Sequence, residues 1–294
     1  MKISCQNCSP RDPSSDPRNS IVRAGFYRRK SDGRWVQRFR CVRCRKYFSL
    51  ATFHPCYRQN KRHLNDRLRR LFSSGVSQRR AAKLLNLSRT TIARKFLFLG
   101  QRALSELEES NKSRPLCQIV EFDDLESFEH TKYKPLSVPL MVESGSRRIL
   151  GFEVAKMPAK GLLSKAGLKK YGRRADERSA KRKLLFEKTR PLIHPEALIK
   201  SDQNPYYRRD VKRYFPAATH KAYKGQRGSI VGQGELKKIR FDPLFSLNHT
   251  CAMLRANINR LFRKTWCTTK ISTRLKLHLA IYAVYHNNTL IESS

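Results

Sequence analysis

Hydrophobic and polar positions change their rhythm three times along the chain. Up to about residue 57, short aromatic runs sit among Cys, Arg, Ser and Pro, and "FYRRKSDGRWVQRFRC" has the form of a hairpin turning at Ser31-Asp32-Gly33. From 58 to about 105 the period becomes helical. In "VSQRRAAKLLNLSRTTIARKFLFLG", Ser77 caps a helix carrying Ala81, Ala82, Leu84 and Leu85. A tight turn follows at Asn86-Leu87, and Ser88 caps a second helix with Ile92, Phe96 and Leu99 inward. "SELEESNKSRP" is polar and ends in proline, which predicts a helix end running into a linker over 106–115.

Beyond residue 116, strand-like and helix-like patterns alternate, as in an α/β domain. "CQIVEFDD", "LSVPLMVES" and "RRILGFEVA" read as three strands, the last two turning at Glu143-Ser144-Gly145-Ser146. A basic, helical region follows, with 13 Lys or Arg between Lys156 and Arg190. "ALIKSD" is then a fourth strand ending at Asp202, and Asn204-Pro205 caps and starts a helix. Three strands, a helix and a fourth strand is the order of a ribonuclease-H-like fold. Near the end, "LNHTCAMLRANINRLFRKT" places Leu247, Cys251, Leu254, Ile258 and Leu261 on one helical stripe, with four basic residues and no acid. The predicted fold class is therefore α/β and multidomain: a zinc ribbon (1–57), a helix-turn-helix (58–105), a linker (106–115) and a ribonuclease-H-like domain (116–294).

Charge narrows the partner. The 294 residues carry 63 Lys and Arg against 23 Asp and Glu, a net charge of +40. An imbalance this large calls for a polyanion, and nucleic acid is the natural one. No apolar run approaches bilayer-spanning length and "MKISCQNCSP" has no apolar signal core, so the expectation is a cytoplasmic, nucleoid-associated protein without a membrane partner. In that compartment eight cysteines point to metal ligation or buried thiols and away from disulfides.

Three sets of residues carry candidate chemistry. Cys5, Cys8, Cys41 and Cys44 form two C-x-x-C pairs, a Zn²⁺ ligand set whose metal would supply folding energy to a segment too small for a core of its own. The outward face of the second predicted helix offers Arg89, Thr90, Thr91, Arg94 and Lys95 to base edges and phosphates in a major groove. Asp123, on the first strand of the α/β region, and Asp202, just after the fourth, would meet on adjacent strands. Two carboxylates there can bridge the hard divalent cations that phosphoryl transfer needs, with Mg²⁺ the natural occupant.

On these motifs the chain resembles bacterial insertion-sequence transposases of the DDE class, nearest the type named after insertion element one. "FDDLESF" is similar to the segment with the family's first aspartate, here Asp123, and "KSDQNPYY" to the second, here Asp202. "MLRANINRLFRKTWCTTK" resembles the helix after the third position, and "YHN" (Tyr285 to Asn287) the usual ending. The resemblance implies Mg²⁺- or Mn²⁺-dependent DNA cleavage and strand transfer at terminal inverted repeats and target DNA, by a homo-oligomer. The alternative is an inactive relative that only binds DNA, as a repressor or end-binding factor.

In the family the third ligand is a carboxylate two helical turns before a basic residue. Counting back seven from Arg255 gives Asn248, an amide. Glu235, in a Gly-rich stretch 33 residues after Asp202, ranks second; Asp242, read as an N-cap before Pro243, ranks third. His249 lies about 100° round the helix from Asn248. An amide oxygen is a legitimate but neutral ligand, so a greater metal requirement or a preference for Mn²⁺ follows. Arg255, Arg260, Arg263, Lys264 and Lys270 are the expected contacts to DNA near the cut, and Trp266 either stacks on a base or fills the core.

Overall fold

The protein is described from a computed structural model, covering residues 3–5, 7–8, 21–30, 32–224, 242–262 and 265–291. It divides into two compact units, Met1–Arg67 and Leu68–Ser294.

The first unit is built on an antiparallel sheet of β1 (Ile21–Arg28), β2 (Trp35–Cys41) and β3 (Tyr47–Ser49). β1 and β2 form the predicted hairpin. Its turn is closed by the Arg29 N–H donating to the Arg34 carbonyl (2.8 Å) and by an Arg29–Asp32 ion pair, with Gly33 at φ +70°. The sheet has little to bury. Phe39 and Cys41 are its buried apolar residues, and Trp35, Phe26 and Tyr47 are exposed. A core this thin fits a fold held by a metal.

The second unit begins within α1 (Asn65–Phe72) and continues through α2 (Gln78–Leu84) and α3 (Arg89–Lys112). The predicted caps are in place: Ser77 accepts from the Arg80 N–H (3.2 Å) and Ser88 from the Thr91 N–H (3.1 Å). Asn86 takes the left-handed turn at φ +48°. Two sequence readings need correction. Leu84 is exposed, so the inward face of α2 is Ala81 and Ala82. The expected linker is helix as far as Lys112, because the back of α3 has a second partner. Gly100 lets α3 approach α8 (Ser272–Tyr285) so closely that a Cβ there would lie 2.6 Å from Leu277 Cβ.

The remainder is a six-stranded mixed sheet between two layers of helices. The strands are β4 (Cys117–Phe128), β5 (Pro135–Glu143), β6 (Ile149–Phe152), β7 (Ala155–Lys156), β8 (Ile193–Asp202) and β9 (Thr219–Tyr223). Their order is β6-β5-β4-β8-β9, with β7 paired to β5; β4, β8 and β9 run parallel, and β5 is antiparallel to β4 and β6. Alternation along the strands sorts the core into two faces. Val120, Phe122, Met141 and Ile199 pack against α5 (Arg178–Thr189) and α6 (Pro205–Tyr214), through Phe186, Tyr207 and Val211. Leu125, Leu136, Val138 and Leu140 face α3, α8 and α7 (Phe245–Asn257). Asn204 caps α6, accepting from the Tyr206 N–H (3.1 Å), with Pro205 in the first turn as predicted.

The C-terminal "YHN" has a structural role. The Asn287 amide accepts from the Ile149 N–H (3.0 Å) and donates to the Ile149 carbonyl (2.9 Å), pairing with the outer edge of β6 as a strand would. Among the described residues, no helix is long and apolar enough to cross a membrane.

Candidate functional site

Four thiols converge in the first unit. Cys5 Sγ lies 3.6 Å from Cys44 Sγ, Cys8 Sγ 3.7 Å from Cys41 Sγ, and all four lie within 4.8 Å of one another. Thiolates bonded tetrahedrally to zinc stand about 3.8 Å apart, from a Zn–S bond of about 2.3 Å. The spacing therefore matches a Zn²⁺ site before any metal is added. The Lys46 backbone N–H beside Cys44 holds that thiol down at about 7, toward the thiolate a metal requires.

The carboxylates are placed by strand register. Glu121 on β4 pairs with Lys200 on β8, and Phe122 with Ser201. Glu121 and Lys200 are opposite charges 3.7 Å apart. The paired register runs as far as Phe122 and Ser201; Asp123 and Asp202 are the next residues on the two strands, and the Asp202 charge acts on Asp123. Like charges brought together on neighbouring strands are destabilising unless a cation lies between them. Burial, with the Asp202 charge second, raises Asp123 to about 7. Asp123 Oδ1 accepts from the Tyr207 hydroxyl (3.0 Å) and from the Asp124 N–H (2.6 Å); Asp202 Oδ1 accepts from the Asn204 N–H (3.0 Å). Both side chains are thus fixed by local bonds. Two neighbouring carboxylates offer oxygen ligands suited to Mg²⁺ or Mn²⁺. Among the described residues no third carboxylate or imidazole joins them at ligand spacing.

The neighbouring Asp124 points to the opposite face. It meets Arg182 (3.5 Å), which also pairs with Asp210 (3.0 Å) and lies over the Tyr207 ring at 5.3 Å. This buried group sits behind Asp123 and orients Tyr207.

Helix α7 docks beside the aspartates by its N-terminal turn. The Leu247 N–H donates to Glu121 Oε2 (2.9 Å), and Ser144 Oγ donates to Glu121 Oε1 (2.7 Å). One turn on, Cys251 is raised to about 12 by burial, with the Asp123 charge adding to it. The helix thus climbs alongside β4, Leu247 level with Glu121 and Cys251 within the field of Asp123. Asn248 and Arg255 flank Cys251 on the outer side of this face, about 60° and 40° round the helix from it. Asn248 is exposed, and its Nδ2 donates to Asp242 Oδ2 (2.8 Å). Asp242 is not the helix N-cap expected from its sequence. It caps the preceding turn through the Leu244 N–H (3.0 Å), and the helix starts at Phe245. The first- and third-ranked ligand candidates are therefore bonded to each other. Glu235 lies outside the described residues. His249 turns to Arg147 (3.3 Å), with its imidazole held down by burial and then by that guanidinium.

The residues predicted to touch DNA separate into groups. Arg89, Thr90 and Arg94 are exposed at the start of α3; Thr91 is half-buried, its hydroxyl 2.8 Å from that of Ser88. Lys95 is buried, contrary to its assignment to the outward face, because α3 is covered on more than one side. Arg260 also departs from expectation: its guanidinium stacks over the Phe96 ring at 5.3 Å, and burial lowers it to about 10. It packs the core under α3. Arg255 is half-buried, and Lys270 is exposed, reaching His130 (3.1 Å) and Thr268 (3.2 Å). Trp266 is 77% exposed, which rules out the core reading for it. Arg263 and Lys264 lie outside the described residues. The predicted helix after Arg255 stops at Asn257, whose carbonyl accepts from the Gly75 N–H (2.7 Å).

Sequence reading missed Glu121, Lys200 and Tyr207. A signal existed for the first two, since Glu121-x-Asp123 and Lys200-x-Asp202 repeat one period-2 spacing on the two strands that meet. A scan of known protein families and a search of curated proteins return no match to this chain.

Proposed function

We propose that the protein is a DNA transposase whose second unit contains a ribonuclease-H-like catalytic domain cutting and joining DNA with divalent cations. The observation that carries this reading is that Asp123 and Asp202 follow directly on the last paired residues of β4 and β8, close enough for the Asp202 charge to act on Asp123, where an ion pair stands two residues earlier. A sheet ordered 3-2-1-4-5 with its second strand antiparallel, and aspartates on strands one and four, supports the fold assignment. On this reading Asp123 and Asp202 would hold Mg²⁺ or Mn²⁺, whose chemistry there would be to activate an attacking oxygen and stabilise a leaving one. The chain's own part is to fix both carboxylates, through Tyr207 and Asn204, and to bring the scissile phosphate to them. Asn248, or Asp242 bonded to it, completes the ligand set, and Arg255 on the same helix face meets the phosphate backbone. The exposed start of α3, with Arg89, Thr90 and Arg94, acts as the reading helix of a helix-turn-helix on the element's terminal repeats. The first unit, as a zinc ribbon, adds basic surface for DNA. Two ends held together imply a homo-oligomer.

A second reading is a protein that binds element ends and does not cut. The bond between Asn248 and Asp242, with no third acid at ligand spacing among the described residues, favours it. Nicking of a labelled terminal repeat across Mg²⁺ and Mn²⁺, comparing wild type with Asp123→Asn, separates the two. Catalysis predicts equal binding by both proteins and cutting by the wild type alone. Binding by both with no cutting at millimolar Mn²⁺ leaves the non-catalytic reading.

A further inference from the structure

A cleft of about 600 Å³ lies among the start of β5, β7, α4 (Leu163–Tyr171) and the segment leading into α5. Its volume is in the range of small-ligand sites, enough for a nucleotide. Its walls combine aromatic, apolar and cationic groups. The rings of Tyr133 and Tyr171 stand 6.2 Å apart at 44°, Lys134 Nζ lies 4.4 Å from the Tyr171 ring centre, and Leu168 is 60% exposed. Lys156 and Arg173 also line it, and neither of their charged ends has a partner among the described residues. The two acids on the wall are engaged by protein: Asp176 by Arg178 (2.9 and 2.6 Å), and Glu177 by the Lys156 N–H (3.0 Å). Arg174, paired with Glu129 (3.0 Å), keeps a buried Nε without an acceptor among the described residues. Four cations, Lys134, Lys156, Arg173 and Arg174, thus stand on the wall against two acids, and Leu168 and the Tyr171 ring, with Lys134 and Lys170 (5.7 Å) close to it, add a stacking surface. A base takes the aromatic and apolar part and a phosphate takes the cations, a combination seen in single-strand binding sites.

The location matters as much as the chemistry. Pro135, at the cleft edge, pairs with Phe128 on β4, five residues beyond Asp123. That is about 17 Å along the strand, or about five nucleotides of DNA at 3.4 Å each.

We propose that this cleft receives an unpaired nucleotide of the DNA strand that runs past Asp123 and Asp202, stacking its base on Tyr171 and Leu168 and setting its phosphate on Lys156 and Arg173. The proposal rests on the reading of the protein as a DNA-processing enzyme. It is tested without divalent metal, using the full chain and three probes: a flush duplex, the same duplex with a single-stranded end carrying 2-aminopurine, and free 2-aminopurine deoxynucleotide. The expected result is roughly tenfold tighter binding of the overhang than of the flush duplex, with quenched 2-aminopurine fluorescence. Tyr171→Ala should remove the quench and the preference while flush-duplex binding is kept, and Tyr171→Phe should retain both. Leu168→Glu, at an exposed position, should also lose the quench, and thermal melting shows whether each variant is folded. Equal affinity for overhang and flush duplex, or a quench that survives in folded Tyr171→Ala, overturns the proposal. Free nucleotide binding as tightly as the overhang makes the cleft a free-nucleotide site and overturns the DNA assignment. Failure to bind any DNA would instead remove the functional reading beneath it.

Discussion

At the scale of single residues, two buried groups make predictions that do not depend on the reaction. Glu121 is 2% exposed and holds the Leu247 N–H, Ser144 and Lys200 together. Glu121→Ala removes the acceptor of the Leu247 N–H and of Ser144 and the counter-charge of half-buried Lys200, so unfolding by denaturant should show a loss of roughly 2 kcal/mol. Unchanged stability would mean that α7 is anchored elsewhere. His278 is buried against Phe72 and Phe96, 2.9 Å from the Phe72 carbonyl, and burial drives its imidazole down to about 3. An unfolded histidine titrates near 6.5. The folded value is the lower one, so the unfolded chain takes up the proton first. The stability at stake is present above about pH 6.5 and is lost as pH falls toward 3. His278→Gln should flatten the pH dependence of the unfolding free energy between about pH 4 and 6 by one proton, about 1.4 kcal/mol per pH unit. An unaltered slope would show that His278 is already protonated in the fold.

At the scale of elements, local signals were legible and cross-element ones were not. Ser77, Ser88 and Asn204-Pro205 announced three helix starts because a cap is a contact within four residues. Short apolar runs announced β4 and β5, and the predicted strand order put Asp123 and Asp202 on neighbouring strands, β4 and β8. Sequence could not supply what lies across space. Lys95 has the spelling of a solvated helix position yet is buried, and Arg260, expected at a phosphate, lies over the Phe96 ring. Asp242-Pro243 has the spelling of an N-cap and first turn, yet Asp242 caps only the turn before the helix, which begins at Phe245. The α3–α8 contact has its own test. Gly100→Ala gains about 1 kcal/mol of helix propensity, but its Cβ would meet Leu277 Cβ at 2.6 Å and backbone atoms at 3.1 and 3.2 Å. A backbone cannot yield as a side chain does, so overpacking of up to about 3 kcal/mol wins. Thermal melting should fall; a rise would show that α8 moves freely.

At the scale of the whole molecule, a thiol cluster at zinc spacing explains why so little core is needed in the first unit. Zinc removal by a chelator should unfold the first unit while the second, with its own two-faced core, keeps its helical signal. Loss of both together would show that the units do not fold independently. On the proposed function, Asp123 and Asp202, at neighbouring positions of two parallel strands, form a cation site for cutting DNA. The most direct measurement is the single-turnover nicking rate of a terminal-repeat duplex as Mn²⁺ is raised, for the wild type and for Asp202→Asn at saturating protein. A metal-dependent rate is expected in the wild type and none in the variant, with DNA binding the same in both. Equal nicking by the two proteins, both folded and bound, would contradict it.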